Sequence, residues 1–366
     1  MRFLLALLFL LGTTDWTAAQ AQLTNPYPGA TWDRIADAEA NGYSSADLDE
    51  VLAYTETLNT DGLLVISGGR VLLEYGDLMQ LSYLASVRKS VLAMLYGPYV
   101  ADGTIDLDQT LADLGMDDVG GLSDAEKQAT IRHLILARSG VYHPASNPGD
   151  NLADAPERGS QPPGSYYLYS NWDFNAAGAA FERTTGEDIY DALGDVLAAP
   201  IGMQDFDRAE QRKSGDATRS QYPAYHMWLS TRDMARLGYL MLREGRWNGA
   251  QVLPAEWVRE SVHVHTPVEE MNPAWMREDP FGYGYMWWVW DGDTATGPYE
   301  GAYSARGAWG QYITVLPAVD LVIAHKTLPS NISSMDEYGE VSVSWEQYAG
   351  ILDRVIAARC DGPCEP

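Results

Sequence analysis

The sequence predicts an α+β domain: an antiparallel sheet built from both chain ends and flanked by helices, with a mainly helical lobe inserted between them. Three observations predict it. Apolar runs of strand character occur near the start, segments periodic near 3.6 residues fill the middle from 86 to about 264, and strand-like runs return from Phe281 ahead of a last amphipathic segment. With 366 residues and 46% hydrophobic content, the chain is long enough to bury a substantial core, as one large domain or two lobes.

Taken in order, "MRFLLALLFLLGTTDWTAAQAQ" has a basic start at Arg2, an apolar run over 3–11 and a small-residue site at Ala19-Gln20-Ala21. That pattern predicts an export signal over 1–21 and a domain over 22–366, periplasmic or secreted. No later stretch reaches the roughly 20 apolar residues of a membrane span, so no membrane insertion is expected once the signal is removed. "SSADLDEVLAYTETL" carries a serine cap and apolar residues at Leu48, Val51, Leu52 and Leu58, which suits an amphipathic helix. "GLLVISGGRVLLEYGD" reads as two strands around Gly68-Gly69, a hairpin.

The middle holds the helical segments "TIRHLILARSG", "NWDFNAAGAAFERTTG", "STRDMARLGYLMLREG" and "PAEWVRESV", most opened by Ser, Thr, Asn or Pro and closed by Gly. Strands follow in "FGYGYMWWVWDG", "GQYITVLP" and "DLVIAHKTL", then the helix "SWEQYAGILDRVIAAR". These assignments divide the domain into an α/β lobe, 22–85 plus 280–366, and a helical lobe, 86–279. In "MWWVW" a regular strand would set Met286, Trp288 and Trp290 on one face, with Trp287 and Val289 on the other.

The net charge of -27 persists after removal of 1–21, because Arg2 and Asp15 cancel. Such a surface repels phosphate backbones and anionic membranes, which excludes nucleic acid as an expected partner. The two cysteines, Cys360 and Cys364, lie behind the last helical pattern. In an oxidising compartment they could close a small tail loop, with free thiols as the alternative.

Chemistry concentrates in "LASVRKSVLAML", residues 84–95. On a helix over 86–96, Ser86 and Lys89 lie one turn apart on one face, within hydrogen-bond reach. Burial among apolar neighbours and the positive end of the helix dipole both disfavour a charged lysine, so Lys89 can serve as a base. Ser86 is then an alcohol beside that base, with helix N-terminal amides available to a developing oxyanion. A second element is "PPGSYYLYSNWDFNAAG", which presents Tyr169-Ser170-Asn171 in a loop leading into a helix.

In order and context these pieces resemble the serine β-lactamase and penicillin-binding superfamily, nearest its class C-like branch, which includes serine carboxylesterases, D-amino-acid peptidases and 6-aminohexanoate-dimer hydrolases. "TIRHLILARSGV" and "STRDMARLGYLMLREGRWNGAQVLPAEWV" are similar to further family segments, so the resemblance spans almost the whole mature chain. It implies a β-lactamase-like fold and a serine hydrolase without metal or organic cofactor. Ser86 would be acylated, Lys89 would be its base partner, and Tyr169 would shuttle a proton to the leaving group; Asn171 would position substrate or Lys89. Deacylation would use a water activated by Tyr169 or Lys89.

The superfamily's third motif, Lys-Thr-Gly or His-x-Gly on a cleft strand, aligns with Ala308-Trp309-Gly310, followed by Gln311. By that alignment Gly310 admits the substrate backbone, and the N–H groups of Ser86 and Gln311 form the oxyanion hole. Ala308 stands where antibiotic-handling members carry a cation, and Trp309 adds an apolar face. This departure favours a small-molecule substrate, a neutral ester or linear amide, over a β-lactam or D-alanyl peptide; Arg306 is a candidate replacement charge. A non-catalytic binding module on the same fold is the reading from another class, opposed by the joint presence of Ser86, Lys89 and Tyr169. His263 and His265 would share a face on a strand but lack a third ligand nearby in sequence, so surface histidines are expected there rather than a metal site. The acids of "DGTIDLDQTLADLGMDD" suit a solvated loop.

Overall fold

The computed structural model describes residues 27–328 and 342–360, with 362 and 364; the expected signal at 1–21 lies outside them. The first helix, α1 (Ser45–Glu56), starts at Ser44, whose hydroxyl accepts from the Asp47 N–H. It precedes the hairpin β1 (Gly62–Ser67) and β2 (Arg70–Gly76). Gly68 and Gly69 both have positive φ, +55° and +78°, which the tight turn requires and a side chain would resist.

The chain then forms the short strand β3 (Ser82–Tyr83) and the helices α2 (Val87–Ala101), α3 (Ile131–Ile135) and α4 (Asn171–Thr185). The short strand β4 (Trp228–Leu229), which pairs with β3, leads into α5 (Thr231–Leu242) and α6 (Ala255–Ser261). After α6 come β5 (Phe281–Tyr283), β6 (Trp288–Trp290), β7 (Tyr303–Gly307), β8 (Gln311–Leu316) and β9 (Leu321–Lys326), and finally α7 (Trp345–Ala357).

Seven strands form one antiparallel sheet in the order β2-β1-β9-β8-β7-β6-β5, so early and late strands meet where β1 pairs with β9. Its two faces explain the near-continuous apolar strands. Leu63 and Val65 of β1 face α1 and α7, in a cluster with Leu48, Val51, Tyr348 and Ile351. Leu64 and Ile66 face the larger core under α2 and α5. Gly238 of α5 lies against the sheet, and a Cβ there would come within 2.6 Å of Val322 and 2.7 Å of Ile313.

Two expectations change. "FGYGYMWWVWDG" is a hairpin, with Trp288 opposite Tyr283 and the Gly284 N–H donating to the Trp287 carbonyl. Met286 lies in the turn at φ +57°, so the period of two breaks and it joins Trp287 and Val289 in the larger core. Trp290 packs on the opposite face, and Trp288 touches both clusters. Within the acidic stretch, Asp118 is buried and accepts from the Trp172 indole N–H at 2.6 Å and the Gln221 N–H at 2.8 Å, tying the loop to α4 instead of to solvent.

An S–S bond joins Cys360 and Cys364, whose Cα atoms are 5.5 Å apart. Their N–H groups donate to the Gly42 and Glu39 carbonyls, so the loop docks on the segment before α1.

Candidate active site

Ser86 caps α2 at the end of an irregular approach. The β3–β4 pairing and a bond from Leu84 N–H to the Met227 carbonyl hold the entering chain, and Ala85 adopts φ +48°, rare for a residue with a side chain. The turn leaves Ser86 partly accessible while Arg88 and Lys89 enter the core.

Lys89 is 1% exposed, and its Nζ lies 3.0 Å from Ser86 Oγ, 2.5 Å from Tyr169 Oη and 2.7 Å from Asn171 Oδ1. Tyr169 comes from the loop before α4, and Asn171 is the first residue of that helix. The Asn171 side-chain amide donates to the Pro148 carbonyl at 2.9 Å, and its backbone N–H donates to Asp150 Oδ2 at 3.0 Å. Those two bonds turn its carbonyl oxygen toward Lys89. The Tyr169 ring stacks on Trp288 at 5.5 Å and lies 4.9 Å from the Phe174 ring.

Burial holds Lys89 well below the ordinary lysine range; neighbouring Arg88 pushes it the same way, and Asp150 opposes. For Tyr169, burial dominates and raises the hydroxyl to about 12, against the hydrogen bond with Ser86 and the charges of Arg88 and Arg306. Both shifts run toward the neutral forms. A neutral amine has two N–H donors and one lone pair, enough to donate to Asn171 Oδ1 and Tyr169 Oη while facing Ser86 Oγ.

The third motif is placed differently from the alignment. Ala308, Trp309 and Gly310 form the turn between β7 and β8 rather than a strand. Gly307, one residue earlier, abuts the nucleophile: a Cβ there would lie 2.6 Å from the Leu84 carbonyl oxygen and 3.1 Å from Ser86 N. Gly310 instead faces Thr327 and Val343, so its bareness serves packing on that side. Gln311 is 0% exposed, stands opposite Gly307 in the ladder, and donates its side-chain amide to the Trp309 and Thr327 carbonyls. Arg306 is held by Asp279 at 3.1 Å amid the rings of Phe281, Trp288 and Trp345, and does not line the cavity beside Ser86.

That cavity, about 280 Å³, is lined by Tyr83, Ser86, Arg88, Asn171, Ala308 and Trp309, among others. The structure thus brings Ser86, Lys89, Tyr169, Asn171 and Trp309 together and leaves Gly310 and Gln311 behind the turn. Sequence reasoning missed Tyr83, Asp150 and Gly307. Only Gly307, beside the aligned triplet, had a local signal. His265 stacks on Tyr285 at 4.5 Å, and among the described residues no group of three or more His, Cys, Asp or Glu could hold a metal ion.

Known proteins share this fold. A family model described as Beta-lactamase matches residues 61–326. The 6-aminohexanoate-dimer hydrolase of Paenarthrobacter ureafaciens is 27% identical over 305 residues, 76% of this chain and 74% of the relative. Among solved structures, EstCE1, a hydrolase with promiscuous acyltransferase activity, superposes with a TM-score of 0.60 at 17% identity, covering 85% of this chain and all of that one. A penicillin binding protein from Bacillus halodurans gives 0.58 at 16% identity, covering 83% and 99%. With the family match spanning most of the domain, from β1 to the end of β9, the chain belongs to the β-lactamase family, within the serine β-lactamase and penicillin-binding superfamily.

Proposed function

We propose that the protein is an exported serine hydrolase that cleaves a small carboxylic ester or linear amide through an acyl-Ser86 intermediate. The observation that carries this reading is the buried Lys89, touching Ser86 Oγ, Tyr169 Oη and Asn171 Oδ1 beside an open cavity.

Ser86 Oγ attacks the substrate carbonyl carbon as the Lys89 lone pair takes its proton. The developing oxyanion is held by the N–H groups of Ser86 and Ala308, neither of which donates to a protein acceptor among the described residues. Ala308 thereby replaces Gln311 in this role. Tyr169 passes its proton to the departing alcohol or amine as the bond to the leaving atom breaks, and Lys89 returns the Ser86 proton to Tyr169. Water then attacks the acyl-serine as the Lys89–Tyr169 pair takes its proton, and the pair returns that proton to Ser86 Oγ as the acyl C–O bond breaks and the carboxylic acid leaves.

The cavity carries the rings of Tyr83 and Trp309, Arg88 is the one cation among its lining residues, and the aromatic side supports an uncharged ester or amide substrate. A relative named for hydrolysis of a 6-aminohexanoate dimer supports the amide branch, and the hydrolase EstCE1 is consistent with acyl transfer. The N-terminal signal pattern and the Cys360–Cys364 bond support an oxidising, periplasmic or secreted location.

The test is labelling by a fluorophosphonate probe, with parallel assays of p-nitrophenyl esters, a chromogenic cephalosporin and a linear amide dimer, and Ser86→Ala as control. Ser86-dependent labelling with ester or amide turnover is expected. Absence of labelling would return the protein to the non-catalytic class, and fast cephalosporin turnover with slow ester cleavage would overturn the substrate assignment.

A further inference from the structure

Arg88 stands apart from the other arginines of the interior. It is 2% exposed, immediately precedes Lys89, and its guanidinium lies 4.7 Å over the Tyr225 ring. Its one hydrogen bond, from Nη2 to Asn175 Oδ1, is long at 3.4 Å, and Nε and Nη1 have no acceptor. No carboxylate among the described residues comes within 4.0 Å of it. Arg232 pairs with Asp205 and Arg243 with Asp320, whereas Arg236, also without a carboxylate within 4.0 Å among the described residues, is held by the carbonyls of Ile201 and Gly29 at 2.7 and 2.8 Å. A guanidinium cannot shed its proton, so this site keeps a buried positive charge without a counter-ion, an arrangement unfavourable for folding.

We infer that Arg88 is a positioning residue for catalysis, a fixed positive charge next to Lys89 and on the cavity wall that disfavours a second cation at Lys89 and favours negative charge developing at the carbonyl attacked by Ser86. This inference rests on the serine-hydrolase reading above. The groups facing Lys89 are few. Ser86 and Arg88 come from its own helix, Tyr169, Asn171 and the Phe174 ring from α4 and the loop before it, and the Asp150 charge from the loop that holds Asn171. Asp150 draws a proton onto Lys89 and Arg88 drives it off; burial and Arg88 together prevail. Arg88 also lines the cavity beside Ser86, so its charge faces the bound carbonyl as well as Lys89.

The test uses Arg88→Met, close in length and uncharged, with Arg88→Gln as the second variant. The chain has four lysines, Lys89, Lys127, Lys213 and Lys326, so [ε-13C]lysine labelling makes the Lys89 titration readable without turnover. Removal of Arg88 is expected to raise the Lys89 midpoint, and the acid limb of kcat/KM for a p-nitrophenyl ester, by about one pH unit, with Tm unchanged or higher. A merely structural Arg88 would give the reverse, a lower Tm and an unmoved midpoint, and that result would overturn the inference. Failure of the wild-type protein to label or turn over would count against the serine-hydrolase reading alone, because the carbon signal reports the Arg88 effect separately.

Discussion

Lys89 Nζ and Tyr169 Oη lie 2.5 Å apart, both in the interior and 80 residues apart in the chain, and burial drives both toward their neutral forms. This pair sets the pH response expected of the active site.

The first consequence concerns stability. Lys89 binds its proton more weakly in the folded state than in the unfolded chain, so between the two pKa values the unfolded state carries more protons and stability rises with pH. The penalty is full below the folded pKa and fades as pH approaches the ordinary lysine value of about 10.4. Lys89→Met is expected to be more stable than wild type near neutrality, with the gap narrowing toward pH 10. Urea denaturation at several pH values measures it, and a constant gap would contradict the assignment.

Activity should respond to the same pair in kind. Tyr169→Phe keeps the ring that stacks on Trp288 and removes only the proton relay. Its kcat is expected to fall by about 10²–10⁴-fold with little change in Tm. Ser86→Ala should abolish probe labelling altogether. A Tyr169→Phe protein with normal kcat would transfer the relay to water or to Lys89 alone.

Gly307, unlike Gly310, touches the nucleophile's backbone. A methyl group at 307 meets the Leu84 carbonyl oxygen at 2.6 Å and Ser86 N at 3.1 Å, so Gly307→Ala must displace the turn that presents Ser86. Stability should drop by about 1–3 kcal/mol, and kcat should fall by a larger factor than this loss explains at a temperature where the variant is fully folded. Thermal unfolding and steady-state kinetics on one preparation separate the two effects.

Substrate preference should turn on Ala308, exposed at the cavity's edge. Ala308→Lys supplies a cation there, which Arg306, held by Asp279, does not. The ratio of kcat/KM for a carboxylate-bearing cephalosporin to that for a neutral ester should rise about tenfold, the value of one charge-assisted bond. An unchanged ratio would show that carboxylate recognition in this cavity does not depend on the residue at 308.

Much of the fold was legible because its signals are local. Ser44, Ser230 and Ser344 cap the helices they were expected to open, and the Gly68-Gly69 turn joins two strands. Ser86 and Lys89 were legible for the same reason, since three residues of helix bring side chains together whatever surrounds them. The hairpin in "FGYGYMWWVWDG" was not, because an unbroken aromatic run conceals a turn whose Met286 takes a positive φ without glycine. Gln311 was misplaced because strand alignment alone does not say which end of a β-turn meets the helix.

The sequence by itself determined the periodicities that make the layers, the capped helices, the adjacency of Ser86 and Lys89, and the family that these motifs resemble. Only the tertiary structure decided that Tyr169 and Asn171 close on Lys89, that Gly307 rather than Gly310 meets Ser86, and that Arg88 is buried among neutral groups. The physical reason is range. Helix and turn geometry act over a few residues, whereas desolvation, close approach and the balance of charges around Lys89 depend on segments brought together only when β1 pairs with β9 and α2 and α4 pack in one core.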